Sequence, residues 1–404
     1  MFFADYGAHV RILEEVTTLQ KWGYEIEILA YPNGRDIEGI KVRRCWGVPF
    51  NYRVIVGSSR HKIYLDVLLA AMTILHGLRH KPDIIHAHLH EGGLIGWMLS
   101  RLTGAPLVFD YQGSLTGEMV DHNFLSTESR FFKFFYWLET RINYAADVIL
   151  TSSTHAANLL AEKFTVSPAQ IYPLPDCVNA DTFCAGNYTD AEKCQLKESL
   201  GLPLDKKIIV YLGVLTPYQG VDLLLESLTR LNQTRNDYHV LMMGYPGVLK
   251  YQQMAESMGL AEQVTFTGKI LYQDAPRYLA LGDIAVAPKI SATEGSGKIL
   301  NYMAMALPTV AFNTPVSREF LGDGGIYAPE ISCPALETAL NRALDLSAGK
   351  RQRLGYYLRQ RVITHFAWDR AGEQISAIYQ ALLSGEPLPT VSLNSIQRRL
   401  SGNS

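Results

Sequence analysis

The sequence predicts an α/β fold: two Rossmann-like, doubly wound domains that face each other across a cleft. Short apolar segments rich in β-branched and aromatic residues alternate with amphipathic segments of helical period. Such alternation is typical of a parallel sheet with helices on both faces. The alternation pauses over residues 174–205 and restarts at Lys207, which indicates two copies of the architecture in 404 residues.

The first domain is assigned to residues 1–180. Its predicted helices cover residues 10–22, 66–78, 92–102, 128–144 and 155–162, and its predicted strands cover 24–31, 84–88, 107–111, 147–151 and 171–173. A doubly wound domain normally begins with a strand, but here the first predicted element is a helix. We therefore expect the first strand to be missing, either because the true N-terminus lies upstream or because this copy is truncated. The aromatic run of helix 128–144 is interpreted as core packing rather than as an acceptor or membrane platform.

The second domain is assigned to residues 181–366. Its predicted strands cover residues 207–212, 239–243, 264–266, 283–287 and 309–312, and its predicted helices cover 190–200, 221–231, 251–258, 275–282, 298–306, 333–346 and 350–366. A further helix is predicted over 367–384. The polar, Ser-rich residues 385–404 are predicted to form a disordered tail.

Composition excludes several classes of protein. A formal net charge of −2 gives no support to a nucleic-acid binder held by bulk charge. The five cysteines are scattered and lack metal spacing, which favours a reducing, cytoplasmic location. The longest apolar helical segment, residues 67–75, is far shorter than the roughly 20 residues of a membrane span. Any membrane contact is therefore expected to be peripheral, at the inner face.

The segment from the strand at 283–287 to the strand at 309–312 forms a predicted βαβ unit with a Gly-rich loop, Thr293-Glu-Gly-Ser-Gly297. The helix that follows the loop has unpaired N–H groups and a partial positive charge at its N-terminus, which suits an anion. Glu294 and two lysines, Lys289 and Lys298, flank this point.

Ligands of open α/β sheets bind beyond the carboxyl ends of the strands. Residues suited to binding or catalysis fall at such positions: Gly7, His88, His90, Gln112, Gly213, Gly244, Lys289 and Glu294. The motifs of several other enzymes are absent from the sequence. There is no Walker A loop, no G-x-G-x-x-G after a strand, no G-x-S-x-G elbow, no Asp-x-Asp pair and no His/Cys cluster with zinc spacing.

Several segments resemble the family 4 retaining glycosyltransferases, which have the GT-B fold. Glu294-Gly-Ser-Gly, Asn301-Tyr-Met-Ala and Leu307–Ala311 resemble the donor motif of that family. Supporting similarities lie at residues 86–88, 109–113, 174–183, 210–220 and 366–369. The resemblance covers nearly the whole chain and is more specific in the second half.

The resemblance implies transfer of a sugar from a nucleoside-diphosphate sugar to a hydroxyl acceptor, with retention and without a metal ion or a resident cofactor. It implies catalytic roles for His88 and Glu294, near the transferred sugar. The resemblance implies that the donor is bound by Gly7, Gly213, Gly244, Lys289, Gly295, Ser296, Gly297, Lys298 and Asn301. The acceptor side is assigned His90, Gln112 and Glu118. The resemblance also implies that the helix over 367–384 packs back toward the first domain.

Three positions depart from the family pattern. Asn301 stands where the family usually has a second glutamate, so the ribose would meet a neutral partner. Val214 and Gln219 stand where the diphosphate loop usually has arginine and lysine. We hypothesise that Lys289 and Lys298 supply the missing positive charge.

Two alternatives stay open at this point. One is a nucleotide-sugar epimerase or a phosphorylase on the same fold. The other is a catalytically weakened or non-catalytic relative, which the departures at Val214 and Gln219 and the missing strand suggest. The sequence does not specify the sugar, the nucleotide or the acceptor, which is a glycan, a lipid-linked molecule or a small molecule.

Overall fold

The computed structural model describes residues 8–34, 36–47, 62–121, 125–290 and 295–389, which form two compact units. The first unit contains the chain up to Asp176, Gly295, and the chain from Trp368 onward. The second unit contains residues 177–290 and 296–367. The predicted tail lies mostly outside the described residues, which end at 389.

The first unit alternates strands and helices as the sequence predicts. Its strands are β1 (Glu27–Ala30), β2 (Lys41–Arg44), β3 (Ile85–His88), β4 (Leu107–Tyr111), β5 (Val148–Thr151) and β6 (Ile171–Pro173). Its helices are α1 (Ala8–Lys21), α2 (Lys62–His80), α3 (Leu89–Thr103), α4 (Leu115–Asp121), α5 (Arg130–Ala145) and α6 (Thr154–Lys163). Every residue of β4 and β5 is buried, because helices cover both faces of this parallel sheet.

The strands of the first unit form two separate sheets. One sheet has the order β3-β4-β5-β6, and the other contains β1 and β2; all of these pairs are parallel. Among the described residues, β1 pairs only with β2 and β3 pairs only with β4. The sequence did not predict β2, because Lys41-Val-Arg-Arg44 contains a single apolar residue and lacks the alternation of a half-buried strand.

The second unit contains a parallel sheet with the order β12-β11-β10-β7-β8-β9. These strands are β7 (Lys207–Leu212), β8 (Tyr238–Met243), β9 (Val264–Gly268), β10 (Ile284–Ala287), β11 (Thr309–Phe312) and β12 (Ile326–Ala328). The helices are α7 (Asp190–Ser199), α8 (Val221–Leu231), α9 (Val248–Ser257), α10 (Ala275–Leu279), α11 (Gly297–Ala304), α12 (Pro315–Leu321), α13 (Cys333–Leu344) and α14 (Ala348–His365). The chain runs outward from β7 to β9 and then returns to β10 on the other side of β7. Strand order therefore reverses between β7 and β10, and a doubly wound sheet binds its ligand at that reversal.

The last described helix, α15 (Trp368–Ser384), belongs to the first unit and packs on α1. Ile375 and Ile378 are buried, and Tyr379 meets the ring of Tyr24 edge-on with 5.4 Å between ring centroids. A Cβ atom on Gly372 would lie 2.5 Å from the side chain of Thr18 on α1, so the small residue permits this close approach.

A buried carboxylate joins α4 to α5. Glu139 of α5 is fully buried and accepts hydrogen bonds from the backbone N–H groups of Leu115 (3.0 Å) and Thr116 (2.9 Å). It also accepts a hydrogen bond of 2.6 Å from the hydroxyl of Thr116. These are the first residues of α4, so the acid satisfies N–H groups that a helix leaves unpaired at its start.

We predict that Glu139→Gln destabilises the protein by about 1.5–3 kcal/mol, because the new amide group faces hydrogen-bond donors that the carboxylate now satisfies. Urea unfolding measures the change. Glu162→Gln, at an exposed position of α6, is the matched control and should change stability by no more than about 0.5 kcal/mol. Equal unfolding midpoints for the two variants would contradict this role of Glu139.

Candidate active site

The loops that follow β7 and β10 meet where the strand order of the second unit reverses. Gly213 follows β7 directly, and Pro288 follows β10. A Cβ atom on Gly220 would lie only 1.8 Å from the carbonyl oxygen of Pro288, and the N–H of Ile290 donates to the carbonyl of Tyr218 at 3.2 Å. The two loops are therefore in direct contact, and the loop after β7 needs glycine at this approach.

Lys298, on α11, places its ammonium group in the loop after β7. Its Nζ atom donates to Oε1 of Gln219 at 2.7 Å and lies 4.5 Å from the ring centroid of Tyr211. A Cβ atom on Gly213 would lie 2.6 Å from the same Nζ. The ammonium group of Lys298 therefore lies in the loop where Val214 and Gln219 replace the expected arginine and lysine. This position is the one that the hypothesis of a replacement cation requires.

The N-terminus of α11 is also shaped for an anion. Ser296 precedes the helix, is only 6% exposed, and makes no side-chain capping bond. Its Oγ atom has no hydrogen-bond partner within the described parts of the chain. The hydroxyl of Tyr302, one turn into the helix, accepts a hydrogen bond of 2.7 Å from the N–H of Leu212 and ties α11 to the end of β7. The helix dipole and its first N–H groups favour negative charge here.

The other predicted donor residues of the second unit lie on the same elements. A Cβ atom on Gly244 would lie 1.8 Å from the carbonyl oxygen of Gly213, so the loops after β7 and β8 also require glycine to approach. Gly297 is the first residue of α11, and Asn301 lies one turn along it, partly buried. Lys289 follows Pro288 after β10 and is partly buried.

Two of the predicted residues, Gly7 and Glu294, lie outside the described residues. Gly295 is described and belongs to the first unit, where a Cβ atom on it would lie 2.7 Å from Oδ2 of Asp176. The boundary between the two units therefore falls between Gly295 and Ser296.

His88 ends β3 and joins a cluster of charged groups in the first unit. Its Nδ1 atom lies 2.9 Å from Oδ2 of Asp110 on the neighbouring strand β4. Arg11 of α1 donates to both carboxylate oxygens of Asp110 at 3.0 Å, and Gln112 donates to Oδ2 at 2.6 Å. Because the guanidinium holds Asp110 in its ionised form, Asp110 is suited to accept the proton of His88 Nδ1–H, and in that tautomer of the neutral imidazole Nε2 carries the lone pair.

Burial shifts the pKa values of several members of this cluster. Arg11, Glu15 and Asp110 are each 4% exposed or less. Burial raises the pKa of Glu15 to about 7, although the nearby Arg11 opposes the shift. Burial alone would raise the pKa of Asp110, but Arg11 and His88 outweigh it and hold that pKa well below its usual value. Burial lowers the pKa of His86 to about 3, so its imidazole is neutral.

The predicted loop position of His90 is wrong. Leu89 adopts a left-handed φ of 62°, so α3 begins directly after β3 and turns His90 inward. His90 is 7% exposed, its ring packs edge-on against Phe109, and its Nε2 lies 3.7 Å from Glu139. Glu118, also predicted on the acceptor side, lies on α4 and is partly buried.

Two protein-family models match the two halves of the chain separately. The family model "Glycosyl transferase 4-like domain" matches residues 6–177, and the model "Glycosyl transferases group 1" matches residues 192–361. The chain belongs to the group 1 glycosyltransferases. The resemblance drawn from the motifs is confirmed, and the transfer of a glycosyl group is the activity of the protein.

Two curated relatives illustrate the range of this family. This glycosyltransferase is 25% identical over 305 residues to the alpha-D-kanosaminyltransferase of Streptomyces kanamyceticus, with 74% of this chain and 77% of the relative covered. It is 23% identical over 422 residues to the D-inositol 3-phosphate glycosyltransferase of Geodermatophilus obscurus, with 97% and 91% covered.

Solved structures confirm the predicted GT-B fold of the glycosyltransferase. Sucrose-phosphate synthase from Thermosynechococcus elongatus superimposes with a TM-score of 0.79 at 19% identity, covering 95% of this chain and 96% of that one. HepE from Anabaena, solved with UDP and glucose, gives a TM-score of 0.71 at 15% identity, covering 92% and 95%.

The interpretation of the aromatic run as core packing is wrong for half of its residues. Phe131, Phe134 and Trp137 of α5 are each more than 50% exposed. The guanidinium groups of Arg130 and Arg141 lie over the rings of Phe131 and Trp137. This face of the glycosyltransferase therefore combines aromatic rings with cations. No helix in the described segments has the length and apolarity needed to cross a membrane.

The sequence analysis did not identify Arg11, Glu15 and Asp110 as neighbours of His88 in the first unit. Asp110 carried a usable signal, since a charged residue near the carboxyl end of a buried strand must have a partner. Arg11 and Glu15 carried none, because a charged pair four residues apart on a helix is usually a solvated one.

Proposed function

We propose that this glycosyltransferase transfers a hexose from a nucleoside-diphosphate sugar to a hydroxyl acceptor, with retention of the anomeric configuration. The observation that supports this proposal is the position of Lys298, which brings a cation and a helix N-terminus to the strand reversal of the second unit. The complex of HepE with UDP-glucose makes a uridine diphosphate sugar the first donor to test.

During transfer, the bond between the anomeric carbon and the diphosphate oxygen breaks as the acceptor oxygen bonds to the same face of the sugar. The acceptor hydroxyl loses its proton, and the diphosphate leaves with developing negative charge. The ammonium of Lys298 and the dipole of α11 would stabilise that charge without a metal ion. Asn301 would bind the ribose, and Lys289 would add a second cation to the diphosphate.

The first unit would supply the acceptor side. We assign His88 to contact with the transferred sugar or the acceptor hydroxyl, and Glu294, outside the described residues, to contact with the sugar hydroxyls. The hydrogen bond from His88 Nδ1 to Asp110 would fix the ring with Nε2 as an acceptor for a substrate hydroxyl. Gln112 would keep Asp110 in place.

The first experiment is a donor screen with purified protein and UDP- or GDP-hexoses. Acceptor-dependent release of nucleoside diphosphate is expected, and the anomeric coupling constant of the product in NMR should match that of the donor. An inverted product would contradict retention. Conversion of the nucleotide sugar without release of the diphosphate would indicate an epimerase, and binding without turnover would indicate a non-catalytic relative.

Lys298→Met should weaken UDP binding at least about tenfold, because a charge-assisted hydrogen bond to phosphate contributes about 1.5–3 kcal/mol. Lys289→Met should weaken it less. Isothermal titration calorimetry with UDP measures both variants. The matched control is Lys193→Met, at a partly exposed lysine of α7 that pairs with Asp190. Unchanged UDP affinity in both Lys289→Met and Lys298→Met would contradict the proposal that these lysines replace the missing cations.

We also propose a cytoplasmic protein that touches the inner face of the membrane through α5. The five scattered cysteines, which lack metal spacing, favour a reducing compartment. Exposed aromatic rings next to cations are typical of helices that lie at the surface of anionic lipid, and Arg130 and Lys133 are exposed beside Phe131 and Phe134. Such contact would suit a lipid-linked acceptor.

Replacing Phe131, Phe134 and Trp137 by serine should abolish co-sedimentation with phosphatidylglycerol vesicles, since it removes the apolar part of the interfacial contact. The control replaces Tyr356 and Tyr357, exposed on α14 of the second unit, by serine. The proposed contact would be contradicted if the two variants sedimented equally with the vesicles. It would also be contradicted if the wild-type protein bound to vesicles made only of phosphatidylcholine.

A further inference from the structure

Three residues of the first unit form a group of potential metal ligands. One ligand atom each from Glu15, His86 and His88 lie within 4.8 Å of one another. His86 and His88 are two residues apart on β3 and therefore point to the same face, with their rings stacked 4.5 Å apart. Two imidazoles and one carboxylate form a ligand set that zinc uses when it keeps a fourth position open.

Three atoms of this group are buried and make no hydrogen bond among the described residues. Within the described parts of the protein, Nε2 of His86 and both carboxylate oxygens of Glu15 have none, and each atom is out of contact with solvent. Arg11 lies 3.1 Å from Oε1 of Glu15, but its hydrogen bonds go to Asp110, Asp176 and a backbone carbonyl. Oε1 of Glu15 has Arg11 as an ion-pair partner, whereas Nε2 of His86 has no hydrogen-bond partner within the described residues. A buried polar atom without a partner is rare and costly, so this nitrogen points to a ligand.

The far side of each imidazole is already held. Nδ1 of His86 lies 2.7 Å from the hydroxyl of Tyr379, and Nδ1 of His88 lies 2.9 Å from Asp110. Both rings therefore keep Nε2 as the available ligand atom. Metal-binding histidines almost always have the second nitrogen fixed in this way, which sets the tautomer and the ring orientation.

The spacing is close to that of a metal site. Nε2 of His88 lies 3.5 Å from Oε2 of Glu15. Two ligands bound at 2.0–2.1 Å to a tetrahedral zinc ion are about 3.4 Å apart. Since the widest pair is within 4.8 Å, the group needs to close by at most about 1.4 Å.

The charge balance also favours a dication. Arg11 is the cation that contacts this cluster, and it faces three carboxylates: Glu15, Asp110 and Asp176. When Glu15 and Asp110 are both ionised, these two buried carboxylates exceed the charge of Arg11 by one. Arg11 lies on the Oε1 side of Glu15, which leaves Oε2 toward His88.

We propose that Glu15, His86 and His88 bind a divalent transition metal, zinc above others, through one carboxylate oxygen and both Nε2 atoms. Imidazole nitrogen with carboxylate oxygen suits zinc better than magnesium or calcium, which prefer oxygen alone. The sequence did not reveal this site, because Glu15 is far from the two histidines along the chain.

The site has a consequence that rests on the proposed function. A metal ion bound to Nε2 of His88 takes the lone pair that we assign to substrate contact. The zinc-loaded protein should therefore transfer sugar more slowly than the metal-free protein, whereas zinc binding itself does not depend on that assignment.

The test is zinc titration of chelator-stripped, full-length protein, by calorimetry in competition with a chromophoric chelator. Glu15→Gln and His86→Gln should each weaken zinc binding by at least about tenfold, because even the loss of a hydrogen bond behind a ligand costs 10–100-fold. Tyr379→Phe, which removes such a bond from His86, should weaken zinc binding by about 10–100-fold. Thermal unfolding of each metal-free variant shows whether it is folded.

His80→Ala is the matched control. His76 and His80 lie one turn apart on α2 with ring centroids separated by 4.2 Å, so this pair tests whether zinc binds to a histidine pair outside the proposed site. His80→Ala should bind zinc like the wild type, and Co²⁺ added to either should give the visible absorption of a tetrahedral site.

Absence of a tight site in the wild type, loss of zinc binding in His80→Ala, or wild-type affinity in both folded ligand variants would each overturn the metal site. If zinc binds as expected and no donor is turned over, only the proposed function fails. If turnover occurs and zinc does not bind, only the metal site fails.

Discussion

The contact of the Lys298 ammonium with the loop after β7 is the interaction on which the functional account depends. A Cβ atom at position 213 would lie 2.6 Å from Nζ and would shift the ammonium group, which donates its hydrogen bond to Gln219. Tyr302 fixes α11 to the end of β7, so the lysine and the helix N-terminus face the same loop. Gly244 permits the loop after β8 to approach the backbone of Gly213. Local geometry and charge thus converge at the strand reversal, where doubly wound sheets bind their ligands.

In the first unit, several polar and charged side chains contact Asp110. Arg11, His88 and Gln112 all bond to this buried carboxylate, and the arginine keeps it ionised. This arrangement would have two consequences, because the hydrogen bond between His88 and Asp110 would orient Nε2 both for the proposed substrate hydroxyl and for the proposed metal ion. The same Nε2 atom cannot serve both at once. Binding of zinc and transfer of sugar are therefore expected to compete.

Much of the fold followed from hydrophobic periodicity, because buried parallel strands such as Leu107–Tyr111 are continuous apolar runs with clear ends. The position of Lys298 in the first turn of a helix could also be predicted from the sequence, because the βαβ pattern limits where a residue at a helix start can lie. The strand Lys41–Arg44 could not be predicted, because its side chains are half exposed and charged. His90 was misplaced because a single left-handed residue starts α3 one turn early. The partnership of Arg11 and Glu15 with β3 and β4 depends on tertiary packing, which no spacing along one helix reveals.

The most direct measurement is a crystal structure of the protein with bound UDP. The account predicts that diphosphate oxygens accept hydrogen bonds from Nζ of Lys298 and lie at the N-terminus of α11, within reach of the Ser296 hydroxyl. Lys298 would then turn from Gln219 toward the diphosphate. A diphosphate bound elsewhere in the second unit, with Lys298 still bonded to Gln219, would contradict the account.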